Sequence, residues 1–171
     1  MTELPAELAA ALAQVYRPAG LVCSPPVAEA ESAEYAAYRF TLEGRAVVFR
    51  TAKVTPVKAG LFVTVWQRFP GGPIRPFDLA DPVDLFVVAV RDGQDRGQFV
   101  LPAGVLAGRG VLARDGVGGK RALRVYPPWV ATSSGQARTT QRWQQPYFLP
   151  LAGDGPVDLD LARELYRPPH R

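Results

Sequence analysis

Apolar and polar positions alternate most cleanly through the middle of the chain. Tyr38, Phe40 and Leu42 alternate with Arg39, Thr41 and Glu43, a period of two that predicts a half-buried strand. Glu43-Gly44 supplies a hairpin turn, and Ala46 to Val54 predicts the returning strand. Pro56 to Gly60 reads as a turn and Leu61 to Gln67 as a third strand, before Pro70-Gly-Gly-Pro73 interrupts. Asp84 to Val90 is nearly all apolar, which suits a central strand buried on both faces. Arg91 to Gly97 follows as a turn and Gln98 to Leu101 as a strand. Pro102 and residues 103–107 then predict a short helix. Asp115-Gly-Val-Gly-Gly119 predicts a flexible loop, and Ala122 to Tyr126 a strand stopped by Pro127-Pro128.

The ends carry a helical period. Thr2 is placed to cap a helix with Pro5 and Glu7 in its first turn. Leu4, Leu8, Leu12 and Val15 then form one apolar stripe, ended by Pro18-Ala-Gly20. Residues 21–28 form a Pro-rich connection, and Ala28 to Ala37 predicts a second, acidic helix bearing Glu29, Glu31 and Glu34. Ser133 is placed to cap a helix over Gln136 to Gln144, and Asp158 to Tyr166 predicts a terminal one. This order argues for an α/β (α+β) fold: a mixed central sheet flanked by helices, in a single domain over residues 1–171.

Composition narrows the chemistry. With 47% hydrophobic and 21% charged residues the chain reads as globular. Its longest aliphatic-aromatic run, Leu85 to Val90, is far below the ~20 residues that span a bilayer. No membrane insertion is expected. The N-terminus bears Glu3 and Glu7 without a basic stretch, so a cytoplasmic location is expected. One cysteine, Cys23, allows no intrachain disulfide and no cysteine zinc site. The one histidine, His170, lies in the terminal Pro-Pro-His-Arg, which argues against a histidine-activated nucleophile. Catalysis, if any, is left to carboxylates, Lys, Arg, Tyr or a carboxylate-held metal.

Charge changes the picture further. Residues 1–49 carry three basic and six acidic groups, residues 50–142 fourteen and six, and residues 143–171 three and four. A net +8 middle between acidic ends favours anionic partners; ordinary surface arginine is the competing explanation. Of twenty basic residues only Lys53, Lys58 and Lys120 are lysines, and all three fall in two dense segments, Arg50–Arg68 and Gly119–Gln144. Both segments interleave cations, hydroxyls, amides and aromatics with strand-forming residues.

Strand alternation places Arg50 and Lys53 on opposite faces unless a bulge intervenes. Lys53 and Lys58 with Thr55 read either as phosphate contacts or as cations protecting an edge strand. Gly116 to Arg121, with Lys120, reads either as a phosphate-cradling glycine turn or as a hairpin loop; the full nucleotide-binding pattern is missing, since Arg121 stands where Ser or Thr belongs. Arg124 shares a strand face with Tyr126 and is an anion-contact candidate. Tyr35, Tyr126, Trp129, Trp143 and Trp66 serve as stacking surfaces or as core. Gln136, Arg138, Gln141, Arg142 and Gln145 line a helix that either reads bases and phosphates or is merely solvated.

Several separated blocks resemble the MepB family: Glu31-Ser-x-x-Tyr35, Arg50-x-Ala-Lys53-x-Thr-Pro56, Phe62-Val-Thr-x-Trp66, Gly97-Gln-Phe99, Gly119-Lys-Arg with Arg124-Val-Tyr-Pro-Pro-Trp129, and Gln136-Ala-x-x-Thr140-Gln-x-Trp143-Gln. They span about residues 30–150. The resemblance implies a fold related to the PD-(D/E)XK nuclease-like core and carries no defined reaction. Working nucleases of that class hold Mg²⁺ with a carboxylate on one strand and Glu/Gln-x-Lys on the next. Here no lysine follows Asp, Glu or Gln by two positions, and Arg50 or Thr51 stands where a metal-binding acid is expected near Lys53. Pro82-Val-Asp84 imitates only the first half of that signature.

The expectation is therefore a basic groove that binds nucleic acid or another phosphorylated ligand without an intact nuclease motif or cofactor. One alternative is a Mg²⁺-dependent nuclease with a migrated carboxylate, drawing on Glu31, Asp84 and Lys53. Another is a protein-interaction module docking through its Trp-rich segment. The oligomeric state is left open.

Overall fold

The apolar run at the centre of the sequence organises the molecule. In the computed structural model, which describes residues 3–68, 72–151 and 155–167, it forms the buried first three-quarters of strand β8. In chain order the strands are β1 (Val27–Ala28), β2 (Tyr38–Leu42), β3 (Arg45–Thr51), β4 (Lys53–Val54), β5 (Leu61–Thr64), β6 (Trp66–Arg68), β7 (Ile74–Pro76), β8 (Leu85–Asp92), β9 (Asp95–Pro102), β10 (Ala122–Val125) and β11 (Phe148–Pro150). A six-stranded sheet runs β1-β2-β3-β8-β9-β11, with β3 and β8 parallel and the other pairs antiparallel. A three-stranded sheet runs β10-β5-β4, and β6 pairs with β7.

Period-two alternation along β8 sorts its side chains into two cores. Leu85, Val87 and Ala89 join Val47, Phe49 and Val100 beneath the N-terminal helix and the C-terminal helix α5 (Leu159–Tyr166). Phe86, Val88 and Val90 join Val48, Phe99 and Leu101 beneath the small sheet, where Leu61, Val63, Leu123 and Val125 meet them. Helix α3 (Ala103–Gly108) adds Leu106 to this second core. Each such side chain, fully buried, contributes about 1.5–3 kcal/mol of apolar transfer free energy, so both sheet faces are hydrophobically committed.

The N-terminal helix begins at Ala6 and has three parts: α1 (Ala6–Ala11), a π-helical stretch (Leu12–Tyr16) and α2 (Arg17–Ala19), closed by Gly20 at φ 75°. Thr2, its expected cap, lies outside the described residues, as does His170. The wider π turn brings Val15 and Tyr16 inward together, beside Leu8 and Ala11; Leu4 and Leu12 are only partly buried. Glu43 and Gly44, at φ 52° and 77°, make the expected tight turn between β2 and β3. Helices α4 (Gly135–Gln144) and α5 form as expected. The α4 cap is Ser134, whose Oγ accepts from the Ala137 amide at 3.0 Å, one residue beyond Ser133.

Four expectations are corrected. Residues 28–37 do not form an acidic helix: Val27 and Ala28 pair with Arg39 and Tyr38, and only Ala33–Tyr35 makes a single 3-10 turn between left-handed Ser32 and Ala36. Tertiary bonds outweigh helix propensity there, because Glu29 is recruited by a buried arginine and Ser32 by the Thr64 hydroxyl (below). The strand expected over Ala46–Val54 breaks at Ala52, whose amide bonds the Ala89 carbonyl before β4 leaves for the small sheet. Leu61–Gln67 breaks likewise at Val65. The turn expected over Arg91–Gly97 shrinks to Gly93-Gln94, since β8 and β9 run on past the core as an exposed hairpin. The Pro70–Pro73 interruption falls partly outside the described residues. No described helix is long and apolar enough to cross a membrane.

Candidate functional site

The outer edge of the small sheet borders a cleft of about 550 Å³ closed on its far side by α4. Its cations come from two distant segments: Lys58 from the β4–β5 loop, and Lys120 and Arg124 from just before β10 and within it. Tyr126, Ser133, Gln136 and Thr140 add an aromatic ring, hydroxyls and an amide. No Asp or Glu is among the described residues that line it. Its potential is therefore positive, with nothing inside to neutralise it.

Local structure explains how these groups are held. Arg124 and Lys53 both pair with Phe62, from β10 and β4, so all three lie on one face of the small sheet. The Arg124 guanidinium sits 6.0 Å from the Phe62 ring centroid and donates to Thr55 Oγ1 at 2.9 Å and the Ala59 carbonyl at 3.1 Å. Thr55 thus orients a cation as well as closing its own turn on Lys58 O at 3.2 Å. Gly60, at φ 82°, lets the chain turn beneath Tyr126; a Cβ there would lie 2.8 Å from two atoms of that ring.

Gln144 occupies the β10 edge. Fully buried, it accepts from the Tyr126 amide at 2.8 Å and donates to the Arg124 carbonyl at 2.9 Å, as a neighbouring strand would. Its spacing from Ala137 and Gln141 marks the inward face of α4, a period-3.6 signal that was open to reading. Gln141 is engaged in architecture, donating to the Pro127 and Val130 carbonyls at 3.0 and 2.9 Å.

Arg50, expected among the anion contacts, is instead wholly buried. Its guanidinium donates to the Thr64 carbonyl at 2.7 Å and the Trp66 carbonyl at 3.3 Å, and pairs with Glu29 at 3.4 Å. The rings of Phe77 and Phe86 flank it at 5.5 and 5.6 Å. Thr64 Oγ1 in turn donates to Ser32 Oγ at 2.9 Å. Burial pulls the Arg50 pKa below the usual arginine value, and the neighbouring Glu29 carboxylate opposes that shift. Arg50 is a cross-sheet tie that no ligand reaches.

The other expected residues divide by place. Lys53 is exposed, its ammonium 4.7 Å from the Tyr35 ring centroid. Arg121 and Arg138 are exposed on the flanks of the cleft, Arg138 also donating to the Ser133 carbonyl at 3.2 Å. Trp129 and Trp143 pack against the core beneath the small sheet, Trp129 against Phe148 and Trp143 under Arg109. In the glycine loop, the Gly116 amide is taken by Asp78 at 2.7 Å, one of the backbone donors that hold the Asp78 carboxyl below its usual range. That amide does not stand open as part of a phosphate cradle.

The carboxylates do not assemble. Glu31 pairs with Arg68 at 3.3 Å. Asp84 accepts from the Ala46 amide at 2.9 Å and borders a separate hollow of about 950 Å³ with Arg45, Asp81 and Tyr147. Arg50, near the Glu31 end, pairs with Val88, four positions beyond Asp84 or roughly 13 Å along the strand. Among the described residues no group of three or more His, Cys, Asp or Glu is placed to hold a metal ion. Glu31 and Asp84, each held apart by its own partner, do not form a common Mg²⁺ site.

No curated protein matches the chain. The chain is similar to a solved protein, the crystal structure of MepB, at 32% identity and a TM-score of 0.73, over 77% of this chain and 89% of that one. The profile of the MepB-like family matches residues 29–150, which take in strands β2 to β11, the buried Arg50 network and the cleft. The chain belongs to the MepB-like family.

Proposed function

We propose that this protein binds a phosphorylated anion, nucleic acid or a smaller phosphorylated ligand, in the basic cleft beside β10. Lys58, Lys120 and Arg124 neutralise the phosphate, Thr55 fixes Arg124, and Tyr126 and Gln136 contact the body of the ligand. Arg121 and Arg138 steer from the flanks. The observation that carries this reading is the convergence of three cations, from two segments about sixty residues apart, on one hollow lined by no carboxylate among the described residues. Isolated ammonium and guanidinium groups repel one another in such a space, and an anion relieves that repulsion. The cleft lining holds no carboxylate or imidazole, and its Lys and Tyr side chains are assigned here to ligand contact, so the reading is binding and not turnover.

The test is anisotropy of a labelled single-stranded oligonucleotide across a salt series. Three phosphate contacts predict a log–log slope of about −2. Binding indifferent to salt, or absent at low salt, defeats the proposal.

A further inference from the structure

The β10 edge is only half closed. Val65 donates to the Arg121 carbonyl, which sets the phase of the β10–β5 ladder: residues 121, 123 and 125 bond inward to β5, and residues 122, 124 and 126 turn their backbone groups outward. At the two ends this outward row is satisfied. The Lys120 amide donates to Val111 O at 2.9 Å, and Gln144 takes the Arg124 carbonyl and the Tyr126 amide. Between them, the N–H and C=O of Ala122 and the N–H of Arg124 have no partner among the described residues, and both residues line the cleft. Main-chain groups of this kind ordinarily find a partner.

The cleft thus combines two recognition elements. One is a trio of cations. The other is an adjacent donor and acceptor on one residue, Ala122, the complement of an amide or amidine edge. Nucleobases present such an edge, and Tyr126 offers a ring beside it. At about 550 Å³ the space is that of a small-molecule pocket and far too narrow for a duplex.

Resting on the proposed anion-binding reading, we infer that the ligand is a nucleoside phosphate, free or at the end of a single strand, with its phosphate among Lys58, Lys120 and Arg124 and its base edge on the Ala122 main chain. The ligand takes the place a further strand would occupy, between the Val111 contact and Gln144. Alternate residues along a strand lie roughly 6.6 Å apart, which leaves Arg124 N–H free for the sugar-phosphate portion.

Titration of the full chain at low salt tests this, with adenosine monophosphate, ribose 5-phosphate, adenosine, a short single strand with and without a terminal 5′-phosphate, and a blunt unphosphorylated duplex. Adenosine monophosphate is expected to bind roughly tenfold or more tightly than ribose 5-phosphate or adenosine. It should shift the Ala122 and Arg124 amide resonances. A phosphorylated strand binding as tightly supports a strand end as the source; weaker binding supports a free nucleotide. Ala122→Pro deletes the outward N–H while sparing the ladder to β5, and is expected to weaken adenosine monophosphate about tenfold with little loss for ribose 5-phosphate. The amide shifts in the unaltered protein keep the test valid if that variant misfolds. Equal affinity for ribose 5-phosphate, equal affinity for the duplex, or unmoved Ala122 and Arg124 amides overturns the nucleotide assignment and leaves the anion cleft standing. Absence of binding by every probe overturns both.

Discussion

Two arginines from the two most cation-rich segments of this chain end in opposite circumstances. Arg50 and Arg124 both lie on strands and both rest near phenylalanine rings. Arg50 is fully buried between the sheets, where a carboxylate and two carbonyls take its donors. Arg124 borders an open cleft, and neutral oxygens from Thr55 and Ala59 hold it without cancelling its charge. The lesson is that a cation becomes architecture or recognition according to its neighbours' charge. Glu29 makes the first a tie, and the lack of any carboxylate beside the second leaves attraction for a ligand.

The largest expected effect tests the buried member. Arg50→Ala leaves Glu29, whose side chain is only 11% exposed, with the partly exposed Arg39 at 3.5 Å in place of its buried partner, and deprives the Thr64 and Trp66 carbonyls of a donor. Removing one partner of a buried pair costs about 3–5 kcal/mol, to be read as a fall in the urea midpoint. The double variant Glu29→Gln with Arg50→Met should lose clearly less than Arg50→Ala alone. Arg50→Lys should not restore stability, because an ammonium cannot span the Thr64 and Trp66 carbonyls as the planar fork does. A stable Arg50→Ala variant with weakened phosphate binding would reverse the assignment.

The cleft should behave in the opposite way. Lys58→Ala with Lys120→Ala is expected to weaken adenosine monophosphate roughly a hundredfold at low salt and to flatten the oligonucleotide salt slope by about 1.4. Thermal stability should move by no more than about 0.5 kcal/mol, since among the described residues neither side chain makes an ion pair or cross-sheet bond and both are exposed. Loss of stability comparable to Arg50→Ala would mean that the cleft cations are structural after all.

Much of this contrast was legible before the structure, though not its decisive part. The β2–β3 turn, the doubly buried strand β8 and helices α4 and α5 follow from alternation, aliphatic continuity and Ser/Asp caps. So did Lys58, Lys120, Arg124, Tyr126 and Gln136 as site candidates, all of which reach one cleft. Arg50 was misplaced because its fate depends on nonlocal pairing. Val47-Val48-Phe49 beside it shows a strand buried on both faces, which leaves a charged neighbour no solvent side, but the parallel partner β8 lies 38 positions away. The helix expected over residues 28–37 failed for the same reason. Its local propensity was real, yet Glu29 gains a buried guanidinium and Ser32 the Thr64 hydroxyl only when the chain leaves the helix, Ser32 turning into the left-handed region. Thr55 was read as a phosphate contact and turns out to hold Arg124, and Gln144 escaped notice, because neither residue type announces that it will hold a cation or complete a strand edge.

Gln144 offers an intermediate test of where architecture stops and recognition begins along β10. Gln144→Ala leaves the Arg124 carbonyl and Tyr126 amide without partners, at about 1–2 kcal/mol by denaturant unfolding. Water entering from the cleft limits the loss. Hydrogen exchange at Tyr126 should quicken while that at Leu123, bonded inward to β5, changes little. Equal acceleration at both positions would show that α4 supports the whole small sheet and not its edge alone.

Lys53 should give the smallest effect and draws the boundary most finely. It flanks Phe62 opposite Arg124, with two strand spacings, roughly 10 Å, between their backbones. Its ammonium lies over Tyr35 and it does not line the cleft. Lys53→Met keeps the apolar stem and removes a cation–π contact of about 0.5–1 kcal/mol at an exposed site. Stability should fall by no more than that, and adenosine monophosphate affinity by less than about twofold, as long-range attraction alone would allow. If Lys53→Met instead weakens binding as strongly as Lys120→Ala, the ligand crosses the face of the small sheet over Phe62. Recognition would then reach to within one residue of Ala52, where the chain passes from the buried arginine's sheet to the cleft's, and the two arginines would belong to one continuous site.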